Sequence, residues 1–468
     1  MKEWKKRLGG LPVCVYCAPA PAYEYGGKRY ASKITDRQYR RMKELGVNVI
    51  FGHDYRESGT RREHEHGLRL ASKYGIAYLV KLAIFEEFWS LGGKYPAFSS
   101  LNAAQREDLG KRFLLALQEY EKYPAFAGVC FRDEPGAAMF EGIAYAKRLF
   151  LQKYPDKLFY VNMFGYWVTG DQMQYSNFSD REVPPKYLEE PKEKRYFNFL
   201  RDYMEIVDPQ VFSYDLYPMV SLNGCRSVVH TAMYHIFNLI RDDLDKIGKP
   251  REIWAFVQAG GKWEGSLLTR VPRYPEIALQ INALLAMGAK GIEIFPYCFP
   301  DCWTGDKDVE AGLIDVDGEK TDMYGYFLRA LRQVRACQDV FVDWTFAGFF
   351  LAGEFKGLIP GKEELKCVPD GDCYYTGEIE SEYKLQGFAP VREISATSQL
   401  LCGCFVREGK FAIYVVNNSI SFALNGQIRL QECCDICVVY DGKREVMHTD
   451  SVPLDALNAG ESVMIIQN

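Results

Sequence analysis

Along the first 345 residues, short apolar runs and amphipathic stretches alternate eight times. The apolar runs fall at 13–17, 47–51, 76–82, 127–132, 158–163, 211–215, 253–258 and 291–297. They are rich in β-branched and aromatic residues and too short for core helices, which predicts buried strands. Helical periodicity follows at 35–45, 65–74, 105–120, 140–154, 194–207, 230–247, 275–287 and 321–339. Gly46, Gly75, Gly248 and Gly288 stand where a helix end calls for a left-handed residue, just before the next strand. Eight such units predict an α/β fold, a (β/α)8 TIM barrel over residues 1–345. The long connections, 85–104, 166–191, 259–274 and 298–320, all follow strands. Inserted chain therefore gathers on the C-terminal face, where barrel enzymes carry their chemistry.

Beyond residue 345 the pattern turns to strands and turns, at 346–352, 400–407, 411–416, 419–424, 427–430, 436–440 and 462–466. Asn425 with Gly426, and Asp441 with Gly442, read as hairpin turns. A small all-β sandwich over 346–468 is expected.

Composition narrows the function classes. The 57 basic and 62 acidic residues are interspersed and leave a net charge of −5, which argues against nucleic-acid and membrane-surface partners. No apolar stretch is long enough to span a bilayer. Gly9, Gly10 and Pro12 interrupt the apolar run after the basic start, so that run reads as a first strand, not a secretory signal, and a cytoplasmic location is expected. The 14 cysteines lack paired C-x-x-C spacing. Cys402, Cys404, Cys433, Cys434 and Cys437 accordingly read as core thiols, not a zinc site. His64 and His66 read as a solvated helix start. With no phosphate loop and no G-x-S-x-G elbow, no cofactor, metal or serine triad is expected.

The strand ends collect a consistent chemistry. His53 and Asp54 follow the second strand, and Arg132, Asp133 and Glu134 the fourth. Asn162 and Tyr166 follow the fifth, Tyr214, Asp215 and Tyr217 the sixth, Gln258, Trp263 and Glu264 the seventh, and Glu293 and Tyr297 the eighth. Period-2 alternation places Arg132 with Glu134, and Glu293 with Phe295 and Tyr297, on shared faces. Glu293 and Arg132 are expected either to pair or to meet other buried partners, because an isolated buried charge is costly. Carboxyls in a crevice with Trp89, Trp167, Trp263 and Trp303 in the long loops suit hydrolysis of a sugar bond, the indoles stacking on sugar faces. The loop 166–191 is expected to wall the cleft.

The motifs RDEP at 132–135, SYDLYP at 213–218, WAFVQA at 254–259, AMGAKGI at 286–292 and GLIDVDG at 312–318 carry a resemblance. The chain resembles TIM-barrel glycoside hydrolases related to the β-galactosidase and cellulase clan, and bacterial glycosidase-like proteins with a C-terminal β-domain. That resemblance implies a glycosidase with a carbohydrate substrate and Glu134 as general acid/base. It also departs from the clan twice. Asp133 stands where the clan has Asn, and Gln258 where it has the nucleophilic Glu. The second carboxylate is therefore sought among Asp215, Glu264 and Glu293, and the rigid strand end favours Asp215. The substrate-binding set is His53, Asp54, Asp133, Asn162, Tyr166, Trp167, Tyr217, Gln258, Trp263, Tyr297 and Trp303. A carbohydrate-binding pseudoenzyme is the alternative that the missing Glu suggests.

Overall fold

The computed structural model describes residues 3–16, 19–25, 27–52, 61–177, 181–222, 225–229, 232–264, 267–298, 312–354, 373–374 and 381–468. Eight parallel strands close a barrel: Val13–Val15, Val49–Phe51, Ala77–Val80, Phe126–Asp133, Leu158–Met163, Phe212–Tyr214, Ile253–Gln258 and Gly291–Phe295. The eighth closes on the first with Cys14 opposite Glu293. Helices follow in turn: Asp36–Leu45, Arg61–Tyr74, Ala103–Gln118, Phe140–Lys153, Lys192–Ile206, Ala232–Lys246, Tyr274–Ala286 and Asp322–Ala336. Thr35 caps the first of them by accepting the Gln38 N–H, and Gly46 closes it at φ 83°.

Alternation along the strands builds two cores. Cys14, Val49, Leu79, Cys130, Tyr160, Trp254 and Phe256 fill the lumen. Val13, Ile50, Val129, Val161 and Ala255 face the helices. A short helix, Glu3–Leu8, closes the N-terminal end, with the Trp4 ring 6.2 Å from that of Trp254. The fourth strand breaks the alternation. Its register against the fifth shifts between Cys130 and Arg132, a bulge that turns Asp133 inward. Arg132 instead lies over Trp89, 4.3 Å from the ring centroid, and donates to Ser176 Oγ at 3.1 Å. Arg132 and Glu293 thus have separate partners, Glu293 taking Ser213.

The loops after the sixth and seventh strands build a second sheet from Met219–Leu222, Cys225–Val229, Lys262–Glu264 and Leu267–Thr269, which Cys373–Tyr374 joins. Pattern reading leaves these stretches as loops.

The C-terminal domain is antiparallel: Thr345–Ala352, Val391–Ala396, Leu400–Arg407, Lys410–Asn417, Leu424–Tyr440, Lys443–Leu457 and Ser462–Gln467. Asp441 (φ 46°) and Gly442 (φ 76°) turn the long hairpin, as expected. Asn425 and Gly426 do not form a turn. They lie inside Leu424–Tyr440, where Asn425 Oδ1 accepts the Ala456 N–H at 2.8 Å. The expected strand at 419–424 is a loop up to Leu424, because Ser419 Oγ takes the N–H groups of Ser421 and Phe422. One face of the sheet packs on the barrel. There Tyr414 donates to Asn282 at 2.6 Å, and a Cβ on Gly403 would lie 2.3 Å from the Ala286 carbonyl. The other face, with Cys402, Cys404, Ile413, Ile428 and Val452, forms its own core. The pairing of the long hairpin shifts register between Arg429 and Cys434. Among the described residues no helix is long and apolar enough to cross a membrane.

Candidate active site

The fourth strand ends where Pro135 offers no N–H, and the chain turns there with Glu134 at φ 49°. A non-glycine residue rarely holds this left-handed conformation, and such outliers cluster at functional sites. Two contacts fix it. The Glu134 N–H donates to the Asn162 carbonyl at 2.9 Å, and its own carbonyl accepts Ser176 Oγ at 2.7 Å. Ser176 follows the short helix Gly170–Tyr175. The loop 166–191 therefore packs against the Glu134 turn on the barrel's C-terminal face; Phe178 lies outside the described residues.

Beside this turn the lumen is polar, because the inward positions of four strands carry Asp133, Asn162, Ser213 and Glu293. Asn162 Nδ2 donates to Asp133 Oδ1 at 3.0 Å and to Asp215 Oδ1 at 3.3 Å, so one nitrogen holds two carboxyls together. Tyr16 donates to Asp133 Oδ2 at 2.9 Å. Ser213 Oγ lies 2.9 Å from Asn162 Oδ1, 2.7 Å from Glu293 Oε2 and 2.7 Å from the Tyr160 hydroxyl.

The electrostatics follow from burial. Burial, and then the charge of Asp133, push the Asp215 carboxyl up to about 7, against hydrogen bonds from Asn162 and Tyr217. Burial pushes Glu293 up to about 8; Ser213 and Tyr160 pull it back, and Asp215 and Asp133 add to the rise. A buried acid that titrates near neutrality can give or take a proton in catalysis.

Other expected residues divide into three groups. Trp167 stands at the rim, 40% exposed, and its indole N–H donates to the Asp215 carbonyl at 3.4 Å. Gly165 permits this meeting, since a Cβ there would lie 2.7 Å from that carbonyl. Tyr217 is half-buried against Phe295, with ring centroids 5.3 Å apart.

A second group sits elsewhere. Tyr297 is fully buried among the outer helices and donates to Gln38 Oε1 at 2.9 Å. The eighth strand ends at Phe295, so its inward alternation never reaches Tyr297. Gln258 is occupied structurally: Nε2 donates to the carbonyls of Met219, Gly260 and Arg270, and Oε1 accepts the Met219 N–H. It ties the sixth and seventh loops together and is buried. Tyr166 is pinned to the flanking helices, donating to Glu193 at 2.8 Å and lying edge-on to Tyr196. His64 is buried, not solvated, and burial pulls its pKa down.

The third group is not described. Trp263 and Glu264 belong to the strand Lys262–Glu264 of the second sheet, where a free loop was expected, but their side chains lie outside the described residues. His53, Asp54 and Trp303 also lie outside the described residues. Sequence reading misses Tyr16, Tyr160 and Ser213. Inward alternation along the first, fifth and sixth strands was the available signal for all three.

No family model matches this sequence, and no curated protein does. Solved structures match it in fold. Eubacterium rectale Amy13B superposes with a TM-score of 0.50 at 9% identity, covering 98% of this chain and 96% of that one. A family 39 glycoside hydrolase from Bacteroides cellulosilyticus WH2 gives 0.48 at 11% identity, covering 99% and 82%. For a β-galactosidase from Marinomonas ef1 the values are 0.43 and 13%, with 73% of this chain covered; this chain spans 63% of that enzyme's length. At such identities the likeness is one of architecture: a closed eight-stranded parallel barrel followed by an antiparallel β-domain.

Proposed function

We propose that the protein is a glycoside hydrolase that cleaves O-glycosidic bonds of an oligosaccharide or glycoside at the C-terminal mouth of its barrel. The observation that carries this reading is the left-handed Glu134 turn, held beside an Asp133–Asn162–Asp215 bridge. Breaking the bond requires a proton for the leaving oxygen and a second carboxylate to meet the positive charge developing on the sugar ring. Glu134 is the acid/base in this reading and Asp215 its partner. Trp167 at the rim offers a flat indole for a sugar face.

The test is hydrolysis of a panel of aryl glycosides and oligosaccharides. Glu134→Gln and Asp215→Asn are each expected to lower kcat by about 10²–10⁴-fold, the usual worth of general acid–base catalysis. Glu264→Gln is expected to cost less than about tenfold, since that side chain is assigned no proton to carry. Near-normal turnover in Asp215→Asn, together with a loss of several decades in Glu264→Gln, would make Glu264 the partner instead. A wild-type protein inert on the whole panel would reject the hydrolase reading.

A further inference from the structure

We propose that Glu293 is a positioning residue: held as a neutral carboxylic acid, it acts through Ser213 to keep the Asn162 amide nitrogen turned toward Asp133 and Asp215. Its consequence for turnover rests on the hydrolase reading; its protonation does not.

The inference comes from counting protons. The Ser213 hydroxyl has one proton and two lone pairs, and three oxygens lie within hydrogen-bond distance of it. Asn162 Oδ1 can only accept. The amide cannot be reversed without turning that oxygen onto the oxygens of two carboxyls. The Ser213 proton therefore belongs to Asn162. Glu293 Oε2, 2.7 Å from the same hydroxyl, then brings a proton of its own, and the Tyr160 hydroxyl, within reach of both Ser213 and Glu293, can donate to the remaining lone pair. All hydrogens and lone pairs around Ser213 are then matched. An ionised Glu293 would claim the Ser213 proton and leave Asn162 Oδ1 facing a lone pair. The amide would then lose the Ser213 hydrogen bond on its oxygen, and its nitrogen would no longer be fixed toward Asp133 and Asp215.

The surroundings favour the neutral acid. Glu293 is fully buried, its Oε1 has no hydrogen-bond partner, and among the described residues no basic side chain pairs with it. The titratable groups facing it are Cys14 of the first strand, Asp133 of the fourth, Tyr160 of the fifth and Asp215 beyond the sixth. The seventh strand contributes Phe256 as its cross-strand neighbour. Burial holds Cys14 and Tyr160 far above their ordinary range, so neither ionises near neutrality. Asp215, pushed up to about 7, titrates in the same range, and it can be removed by substitution.

Infrared spectra of Asp215→Asn across pH test the protonation directly. A protonated-carboxyl C=O band is expected at acid pH, fading at a pH below the wild-type value of about 8 because the Asp215 charge that helps raise Glu293 is gone, and absent when Glu293→Gln is added. No such band in Asp215→Asn, or a band that survives Glu293→Gln, would overturn the inference. If the double variant does not fold, the fade in Asp215→Asn alone decides. On a hydrolysed substrate, wild-type kcat/KM should fall on the alkaline side of about 8, and Glu293→Gln should recover about tenfold at pH about 9, because its amide donates without ionising. Ser213→Ala should lose kcat by on the order of a hundredfold with KM little changed, the cost of a misplaced reacting group. An alkaline limb unmoved in Glu293→Gln would overturn the positioning role. Absence of all hydrolysis would reject the proposed activity while leaving the infrared result to stand.

Discussion

Glu276 and Glu293 are both fully buried, yet their surroundings push them in opposite directions. Glu276 opens the seventh barrel helix. Arg270 Nη1 donates to it at 2.7 Å, as does the Arg273 N–H, with the two guanidinium groups adding further contacts. Burial alone would raise its carboxyl; the Arg270 and Arg273 hydrogen bonds and charges outweigh that and hold it below the usual range. Glu293 has hydroxyls in place of guanidinium groups, and two more carboxyls nearby, so burial wins and it rises to about 8. A buried carboxyl with cations is a fastener. A buried carboxyl without them holds a proton near neutrality, and this protein places that kind under its candidate site.

The difference gives each region its own pH signature. Glu276, depressed in the fold, adds stability that is present above the unfolded carboxylate pKa and lost as pH falls through its folded value. Glu293 and Asp215, raised in the fold, contribute stability that is full below the unfolded pKa and lost as pH rises toward about 8 and about 7. The largest expected effect removes the fastener. Glu276→Gln leaves the Arg270 guanidinium, only 11% exposed, without its carboxylate. Breaking a buried pair from one side costs about 3–5 kcal/mol, to be read from urea unfolding at neutral pH. It should also loosen the seventh loop, because the Arg270 carbonyl holds Gln258. A loss under about 1 kcal/mol would place the pair among surface-like bridges and erase the contrast.

The next effect sharpens the other side. The charge of Asp133 is, after burial, the cause that raises Asp215, so Asp133→Asn should lower the Asp215 carboxyl from about 7. The decline in stability as pH rises through neutrality should then shrink, by about 1 kcal/mol for each unit of pKa recovered. If Asp215 works ionised, the acid limb of kcat/KM moves to lower pH in the same variant. An unmoved stability profile would show that burial alone sets Asp215.

How much of this is legible in the sequence depends on the reach of each signal. The barrel is legible because strand period, helix period and the glycines that end helices are local; Gly46, Gly75, Gly248 and Gly288 all adopt positive φ. Glu134 at a strand end is legible through Pro135. The Arg132 side of that strand is not, because a bulge inserts one residue without marking the hydrophobic pattern, and the inward place passes to Asp133. Gln258 misleads for another reason: its partners Met219 and Arg270 lie in other loops, so its saturation is visible only in three dimensions. The strand Lys443–Leu457 escapes because its first four residues are exposed and polar or apolar without alternation of burial. Glu293 shows both sides of this limit. Alternation puts it in the lumen, but the partner it finds there, Ser213, comes from the sixth strand, two strands away across the barrel wall.

The smallest expected effect is at the rim. Trp167 is 40% exposed and packs edge-on to Phe164 with centroids 5.6 Å apart, so its truncation should cost the fold little. Its value on the hydrolase reading is a flat face for sugar, about 1 kcal/mol beyond burial for an aromatic contact. Trp167→Ala should therefore raise KM by roughly fivefold with kcat changed less. Trp167→Phe separates the indole's two roles. It keeps a flat ring and loses the N–H that donates to the Asp215 carbonyl. Recovery of KM by Phe identifies the ring as the platform. A kcat loss shared equally by Phe and Ala would instead assign Trp167 to holding the Asp215 backbone in place. An unfolding loss above about 1.5 kcal/mol in Ala would make it a packing residue of the fifth loop.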